Sequence, residues 1–239
     1  MTREEARAKI IFALDIDDLA ELDRWATLLS GHVGMFKIGK QLFTAHGPET
    51  VRTVQRHGGE VFLDLKYHDI PNTVAQASLE AARFGVKLFN LHALGGYEMM
   101  ATTAEKLHKE FPSADRPKLL AVTILTSSTE ETLKGVGIDR PVEEMVVRLA
   151  KLAQEAGVDG VVASPREVPL IRAACGPEFL IVTPGVRPAF AAADDQKRIM
   201  TPAAAVAAGA DYLVIGRPIS AAPDPLAAAE AIIDEIVAG

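Results

Sequence analysis

Short apolar runs recur along this chain about every 30 residues, and each is followed by a stretch with helical spacing. The runs fall at 10–14, 35–39, 60–66, 87–93, 118–126, 160–163, 178–183 and 211–215. The run at 118–126 is apolar almost throughout, as buried parallel strands are. The first intervening stretch places Leu19, Leu22, Trp25, Ala26 and Leu29 on one helical face. Further helices are expected at 48–56, 72–84, 95–110, 129–134, 141–156, 166–174, 202–208 and 226–237. Eight strands alternating with helices over this length predict an α/β chain, a (β/α)8 TIM barrel forming one domain over residues 1–239. A doubly wound open sheet is the alternative. It would carry a glycine fingerprint after the first strand, and Asp15-Ile16-Asp17-Asp18 stands there instead.

The chain is 49% hydrophobic and 24% charged, with a formal net charge of −7. That balance argues against nucleic acid or an anionic membrane as partner, though it leaves room for a small anionic ligand in a local basic site. Cys175 is the only cysteine, so neither a disulfide framework nor a cysteine metal site is available. The charged N-terminus has no signal-peptide core and no apolar run is long enough to span a bilayer, so the expected location is cytoplasmic.

In a barrel of this kind the functional residues sit at the C-terminal ends of the strands. Those ends read Asp15, Lys37, Asp64 with Lys66, His92, Thr126 with Ser127, Ser164, Pro184 with Arg187, and Gly216 with Arg217. Asp64 and Lys66, two apart, share a strand face. A lone ion pair at a strand end is worth little; charges converging on one face of a barrel point to a site. Asp69 lies beyond, on a turn, where Pro71 holds Ile70 out of the helical region and Asn72 is expected to cap a helix starting at Thr73. Thr183-Pro184-Gly185-Val186-Arg187 and Ile215-Gly216-Arg217-Pro218 follow the last two strands, where barrels bind phosphate. Glycine permits close approach of backbone to an anion, and arginine offers a two-pronged donor. The loop from Arg187 to Lys197 could close over a ligand. His92 reads as a structural histidine and His68 as a solvent or interface residue. Three aspartates could hold magnesium, but the interleaved Lys37 and Lys66 would repel it.

The stretch Asp64-Leu65-Lys66-Tyr67-His68-Asp69-Ile70-Pro71-Asn72-Thr73 resembles the signature of the orotidine 5'-phosphate decarboxylase family. So do Phe36-Lys37-Ile38-Gly39, Val122-Thr123-Ile124-Leu125-Thr126-Ser127, Thr183 to Arg187, Asp195-Gln196-Lys197-Arg198 and Ile215 to Pro218, in order along essentially the whole chain. The resemblance implies decarboxylation of orotidine 5'-monophosphate to uridine 5'-monophosphate in pyrimidine biosynthesis. It implies no metal or organic cofactor, and a homodimer whose two subunits share each site. It further implies that Lys37, Asp64, Lys66 and Asp69 form an alternating charge network, with Lys66 the proton donor. Asp69, Ile70 and Thr73 would come from the partner subunit. Asp15 and Lys37 would hold the ribose and Thr126 would face the pyrimidine. Arg187, Gln196, Gly216 and Arg217 would hold the phosphate beside Pro184.

The chemistry suits these residue types. Loss of carbon dioxide leaves a carbanion in the plane of the ring, where resonance cannot spread it, and a fixed ammonium can stabilise and then protonate it. Barrier lowering in such a reaction reaches roughly 23 kcal/mol, far beyond the about 10²–10⁴-fold that general acid catalysis supplies, so remote binding of the phosphate must contribute. The D-x-K-x-x-D core is also shared with magnesium-dependent sugar-phosphate decarboxylases and aldolases of related barrels, which metal dependence would distinguish. A non-catalytic phosphate-binding barrel would have no need of this charge network.

Overall fold

A computed structural model describes residues 1–112, 115–191 and 200–239. Its eight strands are β1 (Ile10–Leu14), β2 (Met35–Gly39), β3 (Val61–Tyr67), β4 (Leu88–His92), β5 (Lys118–Val122), β6 (Gly160–Val162), β7 (Leu180–Pro184) and β8 (Tyr212–Ile215). Every neighbouring pair is parallel, and β1 pairs β8 to close the barrel in sequence order. The expected (β/α)8 architecture is therefore the one observed.

Two apolar layers follow from the strand alternation. Ile11, Ala13, Met35, Phe62, Leu88, Leu120, Val122, Val162, Val182 and Val214 form the inner cluster. The other strand face packs outward on the helices, where Phe12 lies 5.2 Å from Trp25 and 6.3 Å from Phe36 between ring centroids. That aromatic group seats the first long helix, Leu19–Leu29, whose buried face is Leu22, Trp25, Ala26 and Leu29 as its spacing predicts.

The end of the barrel where the strands begin is held by charge. Arg116 makes two 2.8 Å hydrogen bonds to Asp159, which also accepts from Lys118 at 3.1 Å and from the Leu119 N–H at 2.9 Å. Burial pushes the Asp159 carboxyl up, but Arg116 and the Leu119 N–H outweigh it and hold the group below the usual carboxylate range. Arg172 donates to the carbonyls of Gly176, Pro177, Phe179 and Gly209 and to Asp211, tying the helix Val168–Cys175 to the starts of β7 and β8.

Four local expectations are corrected. The helix after β3 begins at Pro71, not Thr73; Ile70 is its N-cap, and Asn72 instead accepts a 2.8 Å hydrogen bond from Lys106. Pro71 takes a first-turn position where its missing N–H costs nothing. β5 stops at Val122, not Thr126, because β6 is only three residues long and its pairing ends at Val122↔Val162. Helices Arg3–Ala8, Lys40–His46 and Arg217–Ser220 are additional. Each is at most seven residues long, too short for the apolar repeat to register. No helix among the described residues is long and apolar enough to cross a membrane.

Candidate active site

The strand ends converge on a cavity of about 160 Å³ lined by Lys37, Asp64, Lys66, Thr126 and Pro184 over an apolar floor that includes Phe62, Val122, Val162 and Val214. Lys37 projects inward from β2 and is 9% exposed. Its Nζ donates to Asp15 Oδ1 at 3.0 Å and lies 3.8 Å from Asp64 Oδ2. Gly39 sits beside this ammonium: a Cβ there would come 3.3 Å from Lys37 Nζ, so the absent side chain leaves the lysine its space. Register pairs Gly39 with Asp64, which sets the carboxylate one level above Lys37.

Asp64 and Lys66 meet as the alternation predicts, but not on a regular strand. Lys66 Nζ donates to Asp64 Oδ1 at 2.5 Å. Between Leu63↔Phe89 and Tyr67↔Leu91 the β3–β4 ladder shifts, with four steps on β3 against two on β4. Lys66 falls in that bulge with φ 52°, the only non-glycine residue at positive φ among those described. Such a conformation costs about 1–3 kcal/mol and persists only where surrounding structure holds it. The holding residue is Asn90, fully buried on β4. Its Oδ1 accepts from the Lys66 N–H at 2.8 Å, and its Nδ2 donates to Asp64 Oδ1 at 2.7 Å. Sequence reasoning passed over Asn90. The signal was there: it lies two before His92, on the same face of an otherwise apolar strand.

Burial pushes the Asp64 carboxyl up. The charges of Lys66 and Lys37, with hydrogen bonds from Lys66 and Asn90, outweigh burial and hold it below the usual carboxylate range. Asp64 is thus an anion flanked by two ammoniums. The line Asp15, Lys37, Asp64, Lys66 alternates in sign across three strands, with every adjacent pair within 3.8 Å. His92, farther out on β4, has its ring centroid 5.6 Å from that of His68. Burial, then the nearby charges of His68, Lys40 and Lys66 against Asp64, push His92 down to about 4, so it is neutral at pH 7.

The remaining expected residues divide. Thr126 and Pro184 line the cavity. A wider depression of about 1240 Å³ shares Leu125, Thr126 and Pro184 with it and extends past Ser164, Gly185 and Thr201. Pro184 on β7 pairs with Val214 on β8, and Arg187 and Arg217 each follow three residues later, so both arginines stem from one sector of the rim. Gly216 stands beneath them, where a Cβ would lie 3.3 Å from Ala13 Cβ and 3.7 Å from Asp15 Oδ2. Asp69, Ile70 and Thr73 are exposed and do not line the cavity of their own chain. Ile70 is 68% exposed, an unusual setting for a large apolar side chain. Gln196 lies outside the described residues. No group of three or more His, Cys, Asp or Glu among the described residues is placed to hold a metal ion.

A family model described as orotidine 5'-phosphate decarboxylase / HUMPS family matches residues 8–232. An orotidine 5'-phosphate decarboxylase of Geotalea daltonii is 75% identical over 239 residues, covering 100% of both chains. That of Geobacter sulfurreducens is also 75% identical over 239 residues and 100% of both. The crystal structure of orotidine 5'-phosphate decarboxylase from Lactobacillus acidophilus aligns with a TM-score of 0.83 at 39% identity, covering 95% of this chain and 98% of that one. The structure of that enzyme from Pyrococcus horikoshii OT3 gives 0.76 at 25% identity, over 95% and 99%.

Proposed function

Since the chain belongs to the orotidine 5'-phosphate decarboxylase / HUMPS family, we propose that it is a carboxy-lyase converting orotidine 5'-monophosphate to uridine 5'-monophosphate and carbon dioxide, with Lys66 protonating C6. The observation that carries this reading is the alternating line Asp15, Lys37, Asp64, Lys66 facing a small apolar-floored cavity. The substrate's pyrimidine occupies that cavity against Thr126, and its carboxylate lies towards Asp64. As carbon dioxide leaves, electron density stays on C6 and the Lys66 ammonium stabilises it, then delivers a proton to C6. The apolar floor keeps water away and strengthens that electrostatic attraction. Asp15 and Lys37 hold the ribose hydroxyls. Arg187, Gln196, Gly216 and Arg217 hold the phosphate, whose binding energy supports the chemistry at the other end of the substrate.

The family description also carries a second name, whereas curated relatives between 70% and 75% identical carry the decarboxylase name. A magnesium-dependent sugar-phosphate reaction would need a cation where two ammoniums already face Asp64. The deciding assay is loss of the orotate absorbance on mixing the protein with orotidine 5'-monophosphate in excess chelator. Turnover that persists supports the reading; turnover abolished by chelator and restored by magnesium overturns it.

The protein works as a homodimer with shared sites, in the cytoplasm, each chain a single barrel domain. What supports the dimer is the turn carrying Asp69, Ile70 and Thr73, which is exposed, includes the large apolar Ile70 and does not line the cavity of its own chain. Asp69→Ala subunits mixed with Lys66→Ala subunits should regain activity in hybrid dimers, one of whose two sites is intact. No recovery would refute the shared site.

A further inference from the structure

Asn90 is a fully buried amide on β4, between Leu88 of the apolar inner layer and the charged residues at the strand ends. A buried amide is costly unless its polar ends are bonded. Both ends of this one go to the same pair of residues. The assignment of its ends is fixed by chemistry: the Lys66 N–H can only donate and the Asp64 carboxylate can only accept. The bulge has taken the Lys66 N–H out of the β3–β4 ladder, and the Asn90 oxygen replaces the missing carbonyl. On its other side Asn90 shares Asp64 Oδ1 with the Lys66 ammonium, which turns Oδ2 towards Lys37.

Resting on the decarboxylase reading, we propose that Asn90 is a positioning residue for the reaction: its amide bonds the Asp64 carboxylate at one end and the Lys66 backbone at the other, and so fixes where the ammonium stands relative to C6. A residue that only filled the barrel would bond neither. Lys66 in a left-handed conformation is not self-supporting, and a lysine free to relax into a regular strand would carry its ammonium away from the substrate.

The test compares wild type, Asn90→Ala and Asn90→Asp. The aspartate is nearly isosteric and keeps an acceptor for the Lys66 N–H, but it replaces the donor to Asp64 with a second carboxylate. Circular dichroism and thermal melting check the fold, and if Asn90→Ala does not fold, Asn90→Asp carries the comparison. In both variants kcat should fall about ten- to a hundredfold, the rate equivalent of losing one hydrogen bond to a charged group, with KM within about threefold. The groups facing Asp64 are Lys66 on its own strand, Lys37 from β2 with Asp15 behind it, and His92 from β4. With those unchanged, losing the Asn90 donor should move the acid limb of kcat/KM to higher pH. Carbon NMR titration of the Asp64 carboxyl in substrate-free protein should move the same way, further in Asn90→Asp than in Asn90→Ala. A fall in kcat with both pH readouts unmoved, or no fall at all, overturns the proposal. If wild type itself fails to decarboxylate, the reading of the reaction fails, and the Asp64 titration alone decides the role of Asn90.

Discussion

Replacing Lys66 with alanine removes the ammonium 2.5 Å from Asp64 Oδ1 and leaves Lys37 3.8 Å from Oδ2. At an effective dielectric of roughly 20, those separations correspond to about 7 and about 4 kcal/mol of Coulomb attraction, so Asp64 loses the larger of its two cationic supports. In the proposed reaction the same ammonium would stand about 3 Å from the C6 carbanion, where it would be worth about 5–6 kcal/mol, or roughly four decades of rate. Loss of the proposed proton donor would add to that. Lys66→Ala should therefore lower kcat by at least about 10⁴-fold, measured by the decline of the orotate absorbance. KM should change less than about tenfold, because the arginines of the β7–β8 rim are untouched. A kcat within tenfold of wild type would refute the role of Lys66. The backbone supplies a control on the fold: with φ at 52°, Lys66→Gly should be equally inactive yet about 1 kcal/mol more stable than Lys66→Ala.

Arg217→Ala should cost about 3–5 kcal/mol in kcat/KM on the phosphorylated substrate and almost nothing on the bare nucleoside; an equal loss on both would sink the phosphate assignment. Arg172→Ala removes five hydrogen bonds at the opposite end of the barrel. It should lower stability by about 2–4 kcal/mol, roughly 5–15 °C in melting temperature, with kcat within twofold of wild type. A large loss of kcat in a folded Arg172→Ala protein would contradict the separation of the two ends. His92 should make the fold acid-sensitive. Its ordinary value is 6.5 and burial holds it at about 4 in the fold. Between those values the unfolded chain binds a proton that the folded one does not, so stability falls as pH drops from 6.5 to 4. After allowance for solvent screening of this half-buried ring beside His68, Lys40, Lys66 and Asp64, the loss is roughly 1–2 kcal/mol. His92→Gln should flatten that part of the curve in melts across the pH range, and an unchanged slope would exclude it.

The barrel was legible because its strands are buried on both faces and stand out from the amphipathic helices. β1 and β2 fall at their expected residues, and the others are off by one to four positions at an end. The largest miss, the end of β5, depends on how long β6 is, and a strand's end is set by its partner as much as by its own residues. Lys37, Asp64 and Lys66 were legible as polar residues at strand ends. Two things were not. The bulge that puts Lys66 in a left-handed conformation follows from the β3–β4 pairing, and nothing in Asp64-Leu65-Lys66 announces it. For Asn90 only the polarity was legible, a lone amide two before His92 on an apolar strand; its role follows from its partners on the neighbouring strand.

That bulge has a genetic consequence. Which side chains of 64–67 face the cavity depends on a count of residues, because two more steps are spent on β3 than on β4 between the flanking pairs. Losing or gaining one codon there would exchange Leu65 for a charged neighbour on the inner face while leaving the composition nearly intact. The segment should therefore tolerate conservative replacement of Leu65, half-buried and packed against the outer core, and reject every single-residue insertion or deletion. A library scored for growth without supplied pyrimidine would display that contrast directly.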